Sequence, residues 1–464
     1  MRPGPAIIPS PQVSPTASAF VASVSGPVGG IIAAPAPLDE DEQSEATQIP
    51  PPRGSGDWPM YGHDPERTNF NAAETALSPD NVGRLVSLWQ ADVGAGDAPT
   101  SSAPSVASGR VYVGSSVKSG RNFYAFDAQT GKTDWSASLA PATTCFGVGI
   151  GATAAISGSV VVAGGADSAY YGLDSATGTV LWRDPLDAGP SAYPWASPLI
   201  VDGRAYLGVA SGCDNPSVRG EVMSVNLQDG SLLASQAFVP LGQAGAGIWN
   251  SPALTEDGET LVVATGEDFG GYNGPYNRAL VALDPLSLMI RQANQQGPLD
   301  KDSDYATTPV IFHDMQGRTL VAANHKDENF YAYDLDDLSE GPIWHRETGT
   351  IVGMMPAYDP TDEDGGTLFF MDGLGALHAV DPDTGMDRWP AAPAGSARGN
   401  MAIANGMVFL NTGPQGLQVF SEKDGSLLVD IMPARSGKAY SGVAVSHGTV
   451  YWLSGQYLNA WGLP

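Results

Sequence analysis

From Asp57 to the C-terminus, short apolar stretches alternate with turn-forming residues, and the alternation itself repeats. Arg110-Val-Tyr-Val-Gly is followed by Phe123-Tyr-Ala-Phe-Asp127, the turn Ala-Gln-Thr-Gly131 and then Trp135. The same order returns at Val160-Val-Val-Ala-Gly, Tyr171-Gly-Leu-Asp174, Gly178 and Trp182. A third copy runs through Arg204-Ala-Tyr-Leu-Gly and Met223-Ser-Val-Asn226 to Gly230, with Ala234 in place of the tryptophan. Further copies centre on Asp284, on Asp334 with Trp344, on Asp381 with Trp389, on Val419-Phe420-Ser421 and on Ala460-Trp461-Gly462. The typical unit is strand, turn, strand, Asp-x-x-Thr-Gly turn or a variant of it, strand. Short apolar runs bounded by turn residues are strands rather than helices. Eight such units with a period of about 48 residues predict an all-β, eight-bladed β-propeller over residues 57–464.

The eighth unit stops at Pro464, before its outer strand. Arg84-Leu-Val-Ser-Leu-Trp89-Gln-Ala-Asp-Val93 has the character of that missing strand, tryptophan included. It is expected to pair with the last unit and close the ring, which removes an exposed sheet edge. Residues 1–56 differ: 11 prolines, one aromatic residue (Phe20) and the acidic run Asp39-Glu40-Asp41-Glu42. Such a stretch buries too little apolar surface to offset its ordering entropy, so it reads as a disordered leader. It is also a candidate export segment, although Pro27 and several glycines interrupt any apolar h-region.

Composition narrows the function. The 464 residues carry 50 Asp plus Glu against 22 Lys plus Arg, a net charge of −28 that repels phosphate backbones and argues against nucleic-acid binding. Apolar runs end well short of the ~20 residues a membrane-spanning helix needs. The six histidines lack metal-ligand spacing, and no Gly-x-Ser-x-Gly elbow is present. Gly147-x-Gly-x-Gly is not followed by a helical pattern, so it is no dinucleotide fingerprint. The recurring tryptophans fill space between adjacent sheets and need no catalytic role.

Chemistry is sought where the repeat departs from itself, on loops around the axis. The third unit carries Ser211-Gly-Cys213-Asp214-Asn215-Pro-Ser-Val-Arg219-Gly220. The fourth carries Gly247-Ile-Trp249-Asn-Ser-Pro and Ala264-Thr-Gly266-Glu267-Asp268. The fifth opens with Asp300-Lys-Asp302-Ser-Asp304-Tyr305 and later has Asn324-His325-Lys326-Asp327. Carboxylates, one lysine and one tryptophan thus gather on neighbouring units.

These segments resemble those of the pyrroloquinoline quinone (PQQ)-dependent dehydrogenases, in particular the polyvinyl-alcohol-dehydrogenase-like branch without a heme domain. The opening Trp58-Pro-Met-Tyr-Gly-His63-Asp64-x-x-Arg67-Thr-Asn69 is similar to that family's opening, and the resemblance spans roughly residues 57 to 464. It implies an alcohol oxidation in which Trp249 forms the floor under the quinone, Asp304 is the general base and Lys326 contacts the quinone oxygens. It also implies a Ca²⁺ ion held among Asp214 or Asn215, Glu267 and Asp304, Glu267 standing where the family has a neutral asparagine. Oxygen donors of this kind suit a hard cation. The family's vicinal disulfide over the other ring face is reduced here to Thr143-Thr144-Cys145-Phe146-Gly147, leaving Cys145 and Phe146 as candidates for that face. A cofactor-binding arginine is replaced within Gly147-Val-Gly-Ile150-Gly, a loss of ~1.5–3 kcal/mol of charge-assisted bonding.

Cys145 and Cys213 are the only cysteines; a disulfide between them and two buried thiols both fit the sequence. No CxxCH is present, so electrons would pass to an external acceptor such as a cytochrome. The resemblance further implies a small or polymeric alcohol as substrate and a periplasmic or extracellular setting. The alternative is a non-catalytic propeller of the same lineage that has lost the quinone and serves as a binding or assembly scaffold.

Overall fold

In the computed structural model the described residues are 56–94, 96, 101–142, 148–186, 188–189, 191–213, 217–268, 272–297, 302–349, 354–361, 365–395, 397–438 and 440–464. The leader, residues 143–147 and residues 214–216 lie outside them, and with them the expectations for Cys145, Phe146, Asp214 and Asn215.

Eight antiparallel sheets follow one another along the chain. Blade 1 is Ser105–Ala107, Arg110–Gly114, Phe123–Asp127 and Thr133–Ala137, from inner to outer strand. The inner strands of blades 2 to 7 are Ala155–Ser157, Leu199–Val201, Ala253–Leu254, Val310–His313, Ala357–Asp359 and Ala402–Ala404. Blade 8 contains Val443–Ser446, Thr449–Ser454 and Tyr457–Gly462, and its fourth strand is the N-terminal Val86–Asp92. The ring therefore closes as the sequence predicts. Among the described residues the only helical pieces are three 3₁₀ turns.

Burial explains the local patterns. Middle strands are covered on both faces by neighbouring blades, so a run such as Val160–Gly164 is buried at every position and reads as a continuous stretch without polar side chains. Outer strands face solvent on one side, and Val180–Pro185 buries only Trp182.

The tryptophans act between blades. Trp135 Nε1 donates to the Ser175 carbonyl at 3.0 Å, Trp182 Nε1 to Leu227 at 2.9 Å and Trp344 Nε1 to Pro382 at 2.8 Å. Each acceptor lies in the next blade's Asp-x-x-Thr-Gly turn or its equivalent. That turn is built by its aspartate: Asp174 Oδ1 accepts from Thr177 N–H at 2.8 Å and from the Thr177 hydroxyl at 2.7 Å. Gly178 ends the turn at φ +71°, and a Cβ there would lie 2.4 Å from the Trp135 ring. Gly178→Ala is expected to cost ~1–3 kcal/mol through left-handed strain and overpacking, read as a lower melting temperature.

The opening segment, Trp58 to Asn71, is structural. Trp58 pairs with Val106 of blade 1, while the Pro59, Pro65 and Glu66 carbonyls accept from Ile156, Leu254 and Ile311 of blades 2, 4 and 5 at 2.8–2.9 Å. Thr68 and Asn69 carbonyls do the same for Tyr358 and Ile403 of blades 6 and 7, and Asn71 Nδ2 donates to Val445 of blade 8 at 2.8 Å. Arg67 is fully buried; its Nε reaches the Pro252 carbonyl at 2.7 Å and its Nη2 the Pro198 carbonyl of blade 3 at 3.3 Å. One strap of chain thus ties all eight inner strands together at the axis.

Candidate functional site

The residue four positions ahead of an inner strand occupies an equivalent place in successive blades. Counting back from Ser105, Ala155, Leu199, Ala253, Val310 and Ala402 gives Ser101, Gly151, Trp195, Trp249, Ala306 and Arg398. All six line one axial cavity of about 410 Å³. That volume lies within the roughly 300–1,000 Å³ of small-molecule sites. Tyr61 of the central strap also reaches its wall.

Two positions further on, hydroxyl groups link neighbouring blades. Thr153 Oγ1 accepts from Ala103 N–H at 2.8 Å, Ser197 Oγ from Thr153 N–H at 3.0 Å, and Ser251 Oγ from Ser197 N–H at 2.9 Å. Thr308 Oγ1 then accepts from Ser251 N–H at 3.0 Å. This crescent fixes the relative heights of blades 1 to 5, and hence of the side chains above it.

Blades 4 and 5 supply the charged part. Asp304 leads into the inner strand of blade 5, and its carbonyl accepts from Lys326 N–H at 2.8 Å, just past the second strand of the same blade. The adjoining Tyr305–His325 bridge locks this register, and buried Tyr305 anchors it through a 2.9 Å hydroxyl contact with Tyr333. Glu267 follows the second strand of blade 4, whose exit is tied to the Trp249 lead-in by Gly266 N–H to the Gly247 carbonyl at 2.8 Å.

Four side chains predicted from sequence therefore converge. Trp249 Nε1 donates to Asp304 Oδ2 at 2.9 Å, and Lys326 Nζ lies 2.7 Å from Asp304 Oδ1. Lys326 also pairs with Asp302 and sits 5.0 Å from the centroid of the Trp249 ring. Oxygens of Glu267, Asp302 and Asp304 lie within 4.8 Å of one another. Burial would lower the Lys326 pKa, but Asp304, Asp302 and Glu267 together hold it above the usual lysine range. Burial, then the hydrogen bond and charge of Asp304, push Glu267 up to about 9 against the pull of Lys326. Metal-free, the cluster thus holds a proton on Glu267 and an ammonium between two aspartates. Three clustered carboxylates form a donor set suited to a hard divalent ion.

Asp302 joins this group as a third carboxylate; the sequence had placed it only in the surrounding segment. Trp195 was missed, although Pro194-Trp195-Ala-Ser-Pro repeats the Trp249-Asn-Ser-Pro pattern one unit earlier. Its Nε1 donates to the Ser211 carbonyl at 2.9 Å, and its ring lines the cavity. Ile150, where the arginine was expected to be lost, is buried in the core between blades 1 and 2, and Gly151 takes the cavity position. Cys213 is disulfide-bonded, which removes the free-thiol alternative.

A PQQ-repeat family model described as outer membrane protein assembly factor BamB matches residues 83–193 and 329–428. The chain is 22% identical over 324 residues to polyvinylalcohol dehydrogenase of Pseudomonas sp, covering 56% of this chain and 50% of that protein. It is 26% identical over 275 residues to outer membrane protein assembly factor BamB of Yersinia pestis, covering 57% of this chain and 60% of that one. The matches thus span between half and three-fifths of the length of these curated relatives. Among solved structures, quinohemoprotein alcohol dehydrogenase from Comamonas testosteroni superposes with a TM-score of 0.70 at 17% identity, over 88% of this chain and 81% of that one. At that identity the likeness establishes the fold.

Proposed function

We propose that this chain, an eight-bladed propeller of the PQQ type, oxidises an alcohol with PQQ and a calcium ion as cofactors. The observation that carries the reading is the convergence of Trp249, Asp304, Lys326 and Glu267 in one axial cavity. Trp249 offers an apolar ring face for a planar cofactor, with Trp195 at the equivalent place one blade away. Glu267, Asp302 and Asp304 would hold the ion, and its arrival would displace the Glu267 proton. When bound, the quinone would supply a hydride acceptor and the ion a polarising charge.

The rest falls to the chain itself. Asp304 accepts the hydroxyl proton of the alcohol at a carboxylate oxygen, while the Trp249 N–H fixes its other oxygen. Lys326 pairs with Asp304 across 2.7 Å and supplies a donor beside the ring. Both side chains are largely buried in the cavity wall. Electrons leave to an external acceptor, and the disulfide at Cys213 suits a periplasmic or extracellular setting. Among the described residues no helix is long and apolar enough to cross a membrane.

The test is a titration of metal-depleted protein with PQQ and Ca²⁺ followed by absorbance, then dye reduction with a panel of alcohols. Saturable quinone binding at micromolar concentration with alcohol-dependent turnover is expected. The family-model match and the Yersinia relative favour a second reading, a scaffold propeller without the quinone. No binding at micromolar PQQ would establish that reading instead.

A further inference from the structure

Two cations line the cavity among the described residues, Lys326 and Arg398, and they differ in kind. Lys326 is already committed to Asp302 and Asp304. Arg398 stands on blade 7 in the same register as Trp249, four residues ahead of its inner strand. Its guanidinium lies 4.5 Å from the centroid of the Tyr440 ring of blade 8. Among the described residues no carboxylate pairs with it, whereas Arg318, Arg291 and Arg346 each hold one. A guanidinium stacked on an aromatic face is held in place while its N–H edge stays available. The surrounding protein is strongly acidic, so an unpaired cation facing the cavity is a local exception to the field of the whole chain.

The ring order sharpens this. Trp195 and Trp249 occupy blades 3 and 4, the acidic cluster lies on blades 4 and 5, and Arg398 lies three blades beyond Trp249. In a ring of eight, blade 7 stands opposite blade 3, so Arg398 and Trp195 line the cavity from opposite sides.

We propose that Arg398, seated on Tyr440, is the anion-recognition group of the cavity and binds a carboxylate of its ligand. A fork of two parallel N–H donors matches a carboxylate and rejects a neutral group of the same shape. The carboxylate can belong to the quinone or to a hydroxy-acid substrate. Deciding its owner rests on the dehydrogenase reading above; the charge recognition itself does not.

The probes are therefore chosen to separate the two. In calorimetry without quinone or metal, the wild-type protein is expected to bind 1-naphthoate at least about tenfold more tightly than neutral 1-naphthamide. Arg398→Gln is expected to erase that preference and Arg398→Lys to restore part of it, while Arg435→Gln, a surface arginine stacked on Tyr457, leaves it unchanged. Equal preference in wild type and Arg398→Gln would overturn the proposal, as would equal binding of both probes to the wild type. With PQQ, a weaker quinone Kd in Arg398→Gln assigns the carboxylate to the cofactor. An unchanged quinone Kd, with KM raised for hydroxy acids and not for neutral alcohols, assigns it to the substrate. If wild type binds no PQQ, the dehydrogenase reading falls, and the naphthoate comparison still judges Arg398.

Discussion

Asp304→Asn is expected to lower alcohol-dependent dye reduction at least about 100-fold while leaving quinone binding within a few-fold of wild type. General-base contributions of ~10²–10⁴ set that scale. The amide keeps the shape of the carboxylate, and its oxygen can still accept the 2.9 Å bond from Trp249 Nε1. It cannot take a proton from an alcohol. The loss should appear in kcat, because the substrate hydroxyl is bound in either case but deprotonated in one. Steady-state kinetics beside a quinone absorbance titration separates these effects. Turnover within a few-fold of wild type would remove Asp304 from the reaction.

The second large effect is on stability. Lys326→Met is expected to destabilise the metal-free protein by about 3 kcal/mol, read as the shift in denaturant midpoint at constant m-value. Methionine keeps most of the length and the packing against Trp249. It leaves Asp304, only 2% exposed in its side chain, beside Glu267 without a cation. Uncompensated charge in a buried site costs more than the pair itself contributes. Because a divalent ion would supply the missing charge, added Ca²⁺ should narrow the gap between variant and wild type. A gap unmoved by Ca²⁺ would mean that the carboxylates do not bind the ion.

The fold was legible because its signals are repeated. Each blade restates the same strands, and most carry the Asp-x-x-Thr-Gly turn or a variant of it and the same tryptophan, so a weak local pattern becomes strong by recurrence. Ring closure by Val86–Asp92 was legible for the same reason: Trp89 donates to the Ala128 carbonyl at 3.0 Å just as Trp135 donates to Ser175. The charged site was legible where it interrupts the repeat, at Trp249, Glu267, Asp304 and Lys326. Arg398 and Tyr440 were not. No cluster of charged or aromatic residues surrounds either in the sequence, and their meaning comes from meeting each other across two blades. The part played by the opening segment was not legible either: Arg67 serves backbone carbonyls at the axis, a role visible only once the inner strands surround it.

The manner of closure also governs how the molecule is made. During synthesis the strap at Trp58–Asn71 and the strand Val86–Asp92 emerge before the first blade is complete, yet Val86 pairs with Gly462 and Asn71 binds Val445, both in the last blade. Blades can form one after another as they leave the ribosome, but the ring stays open until Tyr457–Gly462 has been made. Contacts this distant in sequence make the last step slow. Until then, a partner that shields the exposed edge of blade 8 or the unfilled axis would act as a chaperone for this protein.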